Sequence, residues 1–142
     1  MSPDTNTSPD ADFILEPDLP LSTMQLGMLA EQTLDPEAAR YNVPLAFRVD
    51  GPLRTDDLER ALGQVMARHE ILRTVYKDDD DGPVQAIADR VPSILQIRQS
   101  VDAREAEVAC QTEAARAFDL SLDCPVRATL FVVGPQQNYL SL

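Results

Sequence analysis

The chain has 142 residues, 44% apolar and 25% charged, with a net charge of −12 and a pI near 4.3. That length fits one domain with a modest core, and that acidity argues against binding to nucleic-acid phosphates or anionic membrane surfaces. No apolar run approaches the ~20 residues of a membrane helix, and the N-terminus has neither the basic nor the apolar region of a secretory signal. Cys110 and Cys124 form no CxxC pair and His69 is the only histidine, so no zinc-ligand set is expected and no metal site is assigned. Isolated cysteines in a chain without a signal read as reduced thiols, which points to the cytoplasm.

Residues 1–18 are rich in Ser, Thr, Asp and Pro and are read as a flexible tail. The apolar triplet Phe13-Ile14-Leu15 within it is either incidental or a candidate docking segment. A helix is expected to begin at Ser22, because Ser22 and Gln25 have the spacing of a capping box and Leu21 and Leu26 that of a hydrophobic staple. Met24, Met28 and Leu29 give this helix an apolar face, either core or a surface for a partner protein, and the helix should end before Pro36. Alternation over residues 43–50 predicts a strand ended by Gly51-Pro52. A second helix is expected over residues 56–69, capped by Thr55, with Asp56 and Asp57 at its positive end. Leu58, Ala61, Leu62, Val65 and Met66 form its buried stripe.

The joint after this helix, Arg68-His69-Glu70-Ile71-Leu72-Arg73-Thr74, sets charge in an otherwise apolar seam. Two readings stand: a solvated face with Ile71 and Leu72 as core, or an internal charged network or site, since a buried charge must be paired. Residues 72–77 and 83–88 read as a hairpin across Asp78-Asp79-Asp80-Asp81-Gly82. The four aspartates lack the ligand spacing of a calcium loop and read as a solvated turn. A short strand over residues 94–99 precedes a helix capped by Asp102 and running to Ala117, whose Ala106, Ala109, Cys110 and Ala117 suit close packing on a sheet. Residues 126–133 are the most apolar run and the expected central strand. After Gly134-Pro135, residues 138–142 begin its neighbour, expected to be an interrupted strand beside an uncovered apolar edge.

The residues alone assemble no catalytic constellation. The glycines Gly51, Gly63, Gly82 and Gly134 form no phosphate loop, and Ser22, Ser93 and Ser121 sit in no nucleophile elbow. Taken by themselves they indicate an α/β domain of unassigned activity.

Five stretches in order nevertheless carry a resemblance: Leu19-Pro20-Leu21-Ser22-Thr23-Met24-Gln25, Tyr41-Asn42-Val43-Pro44, Gly51-Pro52-Leu53, Arg68-His69-Glu70-Ile71-Leu72-Arg73-Thr74, and Phe118-Asp119-Leu120 followed by Pro125-Val126-Arg127-Ala128. Residues 19–142 resemble the first part of the condensation domains of nonribosomal peptide synthetases. The departures are Leu29 in place of an aromatic residue, Gly27 in place of a frequent Arg, and no counterpart of the family's His-His-x-x-x-Asp-Gly motif.

The resemblance implies a chloramphenicol acetyltransferase-like α/β lobe, a mixed sheet with helices packed on it, over residues 19–142 and following the 1–18 tail. In the family two such lobes flank a tunnel. A carrier-bound acyl or peptidyl thioester is joined there to a carrier-bound aminoacyl thioester, on phosphopantetheine arms that the carriers supply; no bound cofactor is expected of the chain itself. By analogy Arg68 and Arg73 support the active-site loop, whose Asp is the implied partner of Arg73. Met24 and Met28 lie where the acceptor carrier docks. Carrier proteins are acidic, as is this chain, so an apolar contact is expected there rather than a charge-steered one. No catalytic residue is assigned, and the chain alone is expected to be inactive. The other readings are a non-catalytic condensation-like module that binds a carrier or an adjacent synthetase domain, and a free-standing acyltransferase of the same superfamily.

Overall fold

The computed structural model describes residues 19–142; the tail and its Phe13-Ile14-Leu15 triplet lie outside the described residues. Among the described residues seven strands form two sheets, accompanied by three α-helices. β1 (Leu19–Pro20), β4 (Gly82–Ile87) and β3 (Thr74–Asp79) form a three-stranded antiparallel sheet in the order β1-β4-β3. β2 (Ala46–Asp50), β7 (Gln137–Ser141), β6 (Ala128–Gly134) and β5 (Leu95–Gln99) form a four-stranded mixed sheet in that order, in which only β5 and β6 run parallel.

The helices follow their caps. α1 (Thr23–Leu34) has the complete capping box: Gln25 N–H donates to the Ser22 hydroxyl at 3.3 Å, and Ser22 N–H donates to the Gln25 side chain at 2.8 Å. α2 (Thr55–Arg68) differs from expectation at its start: Arg54 is the N-cap and Thr55 is already helical. No side chain caps it, so the orphan N–H groups rely on Asp56 and Asp57 in the first turn, with Asp57 held by Arg54 at 3.4 Å and Arg60 at 2.6 Å. α3 (Ala103–Ala115) is capped by Asp102, which accepts from Glu105 N–H at 2.8 Å, and ends two residues before the expected Ala117.

Between α2 and β3 the chain makes one 3-10 turn, Glu70–Arg73, so the strand begins at Thr74 rather than Leu72. The Thr74 hydroxyl donates to the Glu70 carbonyl at 2.8 Å and closes that turn. The expected core pair there is only partly inside: Leu72 is half-buried and Ile71 is exposed. The β3-β4 hairpin is tighter than five residues. Asp79 pairs with Gly82, leaving Asp80-Asp81 as the turn, and Gly82 has φ +117°, where a side chain would be strained.

Strand limits shift for local reasons. Pro44 has no N–H, and pairing starts at Leu45, which exchanges hydrogen bonds with Leu142 at 3.0 and 2.8 Å before β2 proper. β6 starts at Ala128 rather than Val126. The largest correction concerns β7: it is hydrogen-bonded on both sides, to β2 and to β6, so it is an interior strand and not an open edge.

The core forms where α3 lies on β6 and β7. Ala106 and Cys110 of the helix meet Phe131 and Tyr139 of the sheet, with Ala103, Ala109 and Val133 around them. The small face of α3 permits this close approach, as the alanine spacing predicts. α2 contributes Met66, fully buried, while Val65 and Ala61 of its expected stripe are exposed. Glu59 of α2 accepts from the Ser93 hydroxyl at 2.6 Å, tying the helix to the approach to β5.

Candidate functional site

The charged joint divides into an outside and an inside. Arg68, His69 and Glu70 are exposed. Arg73 points inward: its side chain is 14% exposed, its guanidinium donates to the Ala88 carbonyl and lies 3.3 Å from Glu70 Oε1, and its Nε is buried without an acceptor among the described residues. Glu70 is largely in solvent, so this pair compensates Arg73 only weakly. Arg68 and Arg73 therefore sit at opposite ends of the joint and do not share an environment.

α1 is a surface helix with no buried residue. Met24 is 78% exposed and Leu26 and Leu34 are also exposed, whereas Met28 is half-buried. The helix is held by its amides. Gln25 Nε2 donates to the Tyr76 hydroxyl at 3.3 Å and to Gln85 Oε1 at 3.0 Å, and Gln85 Nε2 donates to the Pro20 carbonyl at 3.0 Å. Gln25 thus completes the capping box and fixes α1 to the three-stranded sheet with one side chain. Further along, Gln32 Nε2 donates to the Phe118 carbonyl, and the Leu120 carbonyl accepts from Tyr76 N–H at 2.8 Å.

The last carbonyls of a helix have no partners within it. At the end of α3 and over the two residues that follow it, carbonyls are taken up by two distant side chains. Asn42 Nδ2 donates to the carbonyls of Ala114 at 3.0 Å and Arg116 at 2.9 Å. Arg127 donates to those of Ala117 at 3.1 Å, Glu113 at 3.4 Å and Arg116, with its guanidinium carbon 3.8 Å from the centroid of the Phe118 ring. Burial lowers the Arg127 pKa and neighbouring Arg116 lowers it further, but a guanidinium remains charged at neutral pH.

Glu113, 8% exposed, lies between Arg98 at 3.0 Å and Arg116 at 3.3 Å, although its Oε2 makes no well-directed hydrogen bond. The segment 38–45 is pinned to α1 by Arg40, 3.8 Å from Glu31 and 3.7 Å from Asp35, and by Tyr41, whose pKa is raised chiefly by its hydrogen bond to Glu31. Between α1, segment 38–45, the end of α3 and segment 118–127 lies a mostly apolar pocket of about 370 Å³. Met28, Val43, Phe118, Val126 and Leu142 are among its walls. Cys110 and Cys124 are not poised as nucleophiles, because burial raises both thiol pKa values. Among the described residues no group of three metal-ligating side chains forms, and no helix is long and apolar enough to cross a membrane.

The family model for the condensation domain matches residues 16–142. The chain belongs to the condensation-domain family. It is 40% identical over 124 residues to the probable non-canonical nonribosomal peptide synthetase CymA of Salinispora arenicola, and 32% identical over 125 residues to the dimodular nonribosomal peptide synthase of Bacillus subtilis. Each alignment covers 87% of this chain, but only 2% and 5% of the respective relatives. Among solved structures, the X-domain in complex with OxyB from teicoplanin biosynthesis gives a TM-score of 0.79 at 31% identity, covering 89% of this chain and 27% of that one. The first condensation domain of the calcium-dependent antibiotic synthetase gives 0.73 at 24% identity, covering 89% and 32%. The condensation-domain chain thus spans a third or less of these solved chains, and its mixed sheet with helices packed on it is the chloramphenicol acetyltransferase-like architecture expected from the sequence.

Several stretches that carry the resemblance have structural work in this condensation-domain chain. Asn42, Arg127 and Phe118 clasp the end of α3, and Gln25 anchors α1. Sequence reading did not assign these contacts, because each joins residues far apart in the chain. Glu113 was detectable: it continues the stripe Ala106, Cys110 by one more helical turn, so a carboxylate occupies an inward position.

Proposed function

We propose that residues 19–142 form the first lobe of a condensation domain that makes amide bonds in a nonribosomal peptide synthetase. The amine of a carrier-bound aminoacyl group attacks the thioester carbonyl of an acyl or peptidyl group on a second carrier. A C–N bond forms, the C–S bond breaks, the thiol of the donor arm departs, and the amine loses a proton. Both arms are phosphopantetheine belonging to the carriers, so the lobe needs no cofactor of its own. Its contribution is to hold two tethered reactants together, which converts a bimolecular encounter into a local one. The match of residues 16–142 to the condensation family, with peptide synthetases as relatives, is the observation that carries this reading.

Within it, Arg73 is a positioning residue. Its buried Nε lacks an acceptor among the described residues, which suits a carboxylate arriving from an active-site loop. Arg68, on the exposed side of the joint, assists from the end of α2. Met24 presents an apolar contact to the acceptor carrier and Met28 backs it from the groove. Adjacent synthetase domains are the remaining partners, and the assembly works in the cytoplasm.

The test is a chimera. Residues 19–142 replace the aligned stretch of a complete condensation domain from the Bacillus subtilis dimodular synthase, supplied with loaded donor and acceptor carriers. Amide product by mass spectrometry is expected, reduced at least tenfold by Arg73→Ala and weakened in acceptor-carrier affinity by Met24→Glu. A folded chimera that binds neither carrier and makes no product overturns the reading.

A second reading is favoured by the X-domain, which its structure shows bound to OxyB. In that case the lobe is a non-catalytic module that recruits a partner domain through the same exposed helix. A folded chimera that binds a carrier or partner domain, loses that binding with Met24→Glu, and makes no amide selects it.

A further inference from the structure

α1 borders two cavities. One is the pocket of about 370 Å³ beside segment 38–45; the other is a groove between Leu29 and Gln32 of α1, the second half of β3 and segment 116–123. Their charges differ. The groove is lined by Glu37, Asp78, Asp119 and Asp123 against Lys77 and Arg116, whereas in the pocket Glu31 and Glu113 are matched by Arg40 and Arg127. In a chain of net charge −12 the pocket is thus a locally neutral place. It is also poorly covered: Val43 and Leu45 on its wall are 81% and 48% exposed. A cavity of this size takes a few side chains rather than a folded partner.

The sequence holds a segment of matching chemistry. Phe13-Ile14-Leu15 is flanked by Asp10, Asp12, Glu16 and Asp18, and residues 1–18 contain no Lys or Arg. Like charge disfavours this segment in the acidic groove, while a neutral apolar pocket admits its side chains. The triplet precedes residue 16, where the family match begins, so that match does not account for it. The geometry permits the contact. Leu19 pairs with Gln85, and Gln25 of α1 donates to the same residue, so Leu19 sits beside the first turns of the helix. From Gln25 to Gln32, which borders the pocket, α1 advances only ~10 Å. Leu15 and Phe13 stand four and six residues before Leu19, so an extended chain carries them up to ~13 and ~20 Å back along the helix.

We propose that Asp12-Phe13-Ile14-Leu15-Glu16 folds back along α1 and seats its apolar side chains in this pocket, against Met28, Val43, Phe118 and Leu142, as an internal plug. While seated it closes the pocket to any other occupant. The contact depends neither on a carrier nor on amide formation. The test uses the full chain. Two-dimensional amide NMR compares it with the double variant Phe13→Ser, Leu15→Ser, changed outside the body, and with Val43→Glu, which sets a carboxylate on the exposed rim. Both should shift the amides of Met28, Phe118 and Leu142, with no dependence on protein concentration. Cleavage by chymotrypsin after Phe13, read by mass spectrometry, tracks the unseated fraction and should quicken about fivefold in Val43→Glu. Shifts in the double variant that stop at the residues next to Leu19, or that follow the groove side of α1, overturn the proposal, as does cleavage unchanged by Val43→Glu. Shifts that appear only as the protein is concentrated give the pocket to the tail of a second copy and overturn it as well.

Discussion

Replacing Arg127 by methionine tests whether the clasp at the end of α3 holds the sheet and helix together. The side chain reaches three carbonyls, one in the last turn of that helix and two just after it, of which the contact to Glu113 at 3.4 Å is long and contributes least. Two charge-assisted hydrogen bonds are worth ~1.5–3 kcal/mol each, and the stacking over Phe118 adds ~0.5–1 kcal/mol. Against this stands the desolvation that lowers the Arg127 pKa, which methionine avoids. Asn42 also still holds the Arg116 carbonyl. The net expectation is a loss of ~2–3 kcal/mol, which moves the urea midpoint down by ~1–2 M for a chain of this size. Asn42→Ala alone should cost ~1 kcal/mol. The double variant should lose more than the sum, because the Arg116 carbonyl then has neither donor. A loss below ~0.5 kcal/mol for Arg127→Met, or strict additivity with Asn42→Ala, refutes the clasp.

Further outcomes follow from the buried charges and thiols. Glu113→Leu should be nearly neutral, because Arg98 and Arg116 are each about half exposed (48%) and can turn to water, whereas Arg98→Ala with Arg116→Ala leaves a buried carboxylate alone and should cost ~3–5 kcal/mol; equal losses by urea titration contradict this. Arg73→Ala should cost ~1–2 kcal/mol and Glu70→Ala no more than ~0.5 kcal/mol, since only Arg73 is inward; a larger effect at Glu70 reverses the assignment. Burial raises both thiol pKa values above 9.0, so the folded chain holds those protons longer than the unfolded chain. That part of the stability is complete below pH ~9 and declines as pH rises further. Cys110 should resist iodoacetamide at pH ~8 until urea unfolds the chain; rapid alkylation of native Cys110 overturns its placement.

The elements legible in the sequence are those with local causes. Ser22 and Gln25 fixed the start of α1 through a contact three residues long, Asp102 did the same for α3, and Asp-Gly marked the hairpin. The misses have long-range causes. The hairpin belongs to a sheet separate from β6 and β7, which no periodicity encodes. β7 became interior because β2, far earlier in the chain, pairs with its free side. Of the candidate site, Arg73 was recognisable as an inward charge, and Met24 as part of an apolar helix face that the structure leaves in solvent rather than in a core.

The residues that carry the family resemblance separate into two kinds by what their polar atoms do. Gln25, Asn42 and Arg127 all meet partners within the chain, and each contact joins elements that would otherwise be free to move apart. Such contacts are needed by any lobe of this shape, whether it makes amides or recruits a partner. Arg73 differs because its Nε is buried and has no acceptor among the described residues. A donor kept dry and unfilled gains most from a carboxylate delivered by another segment, since the desolvation cost is already met in the isolated lobe. The stability effect of Arg73→Ala should therefore grow from ~1–2 kcal/mol in this chain to ~3–5 kcal/mol in the complete chimera. Urea titration of both proteins reads the difference directly, and an effect of the same size in each removes Arg73 from the proposed site and leaves it as one more internal clasp.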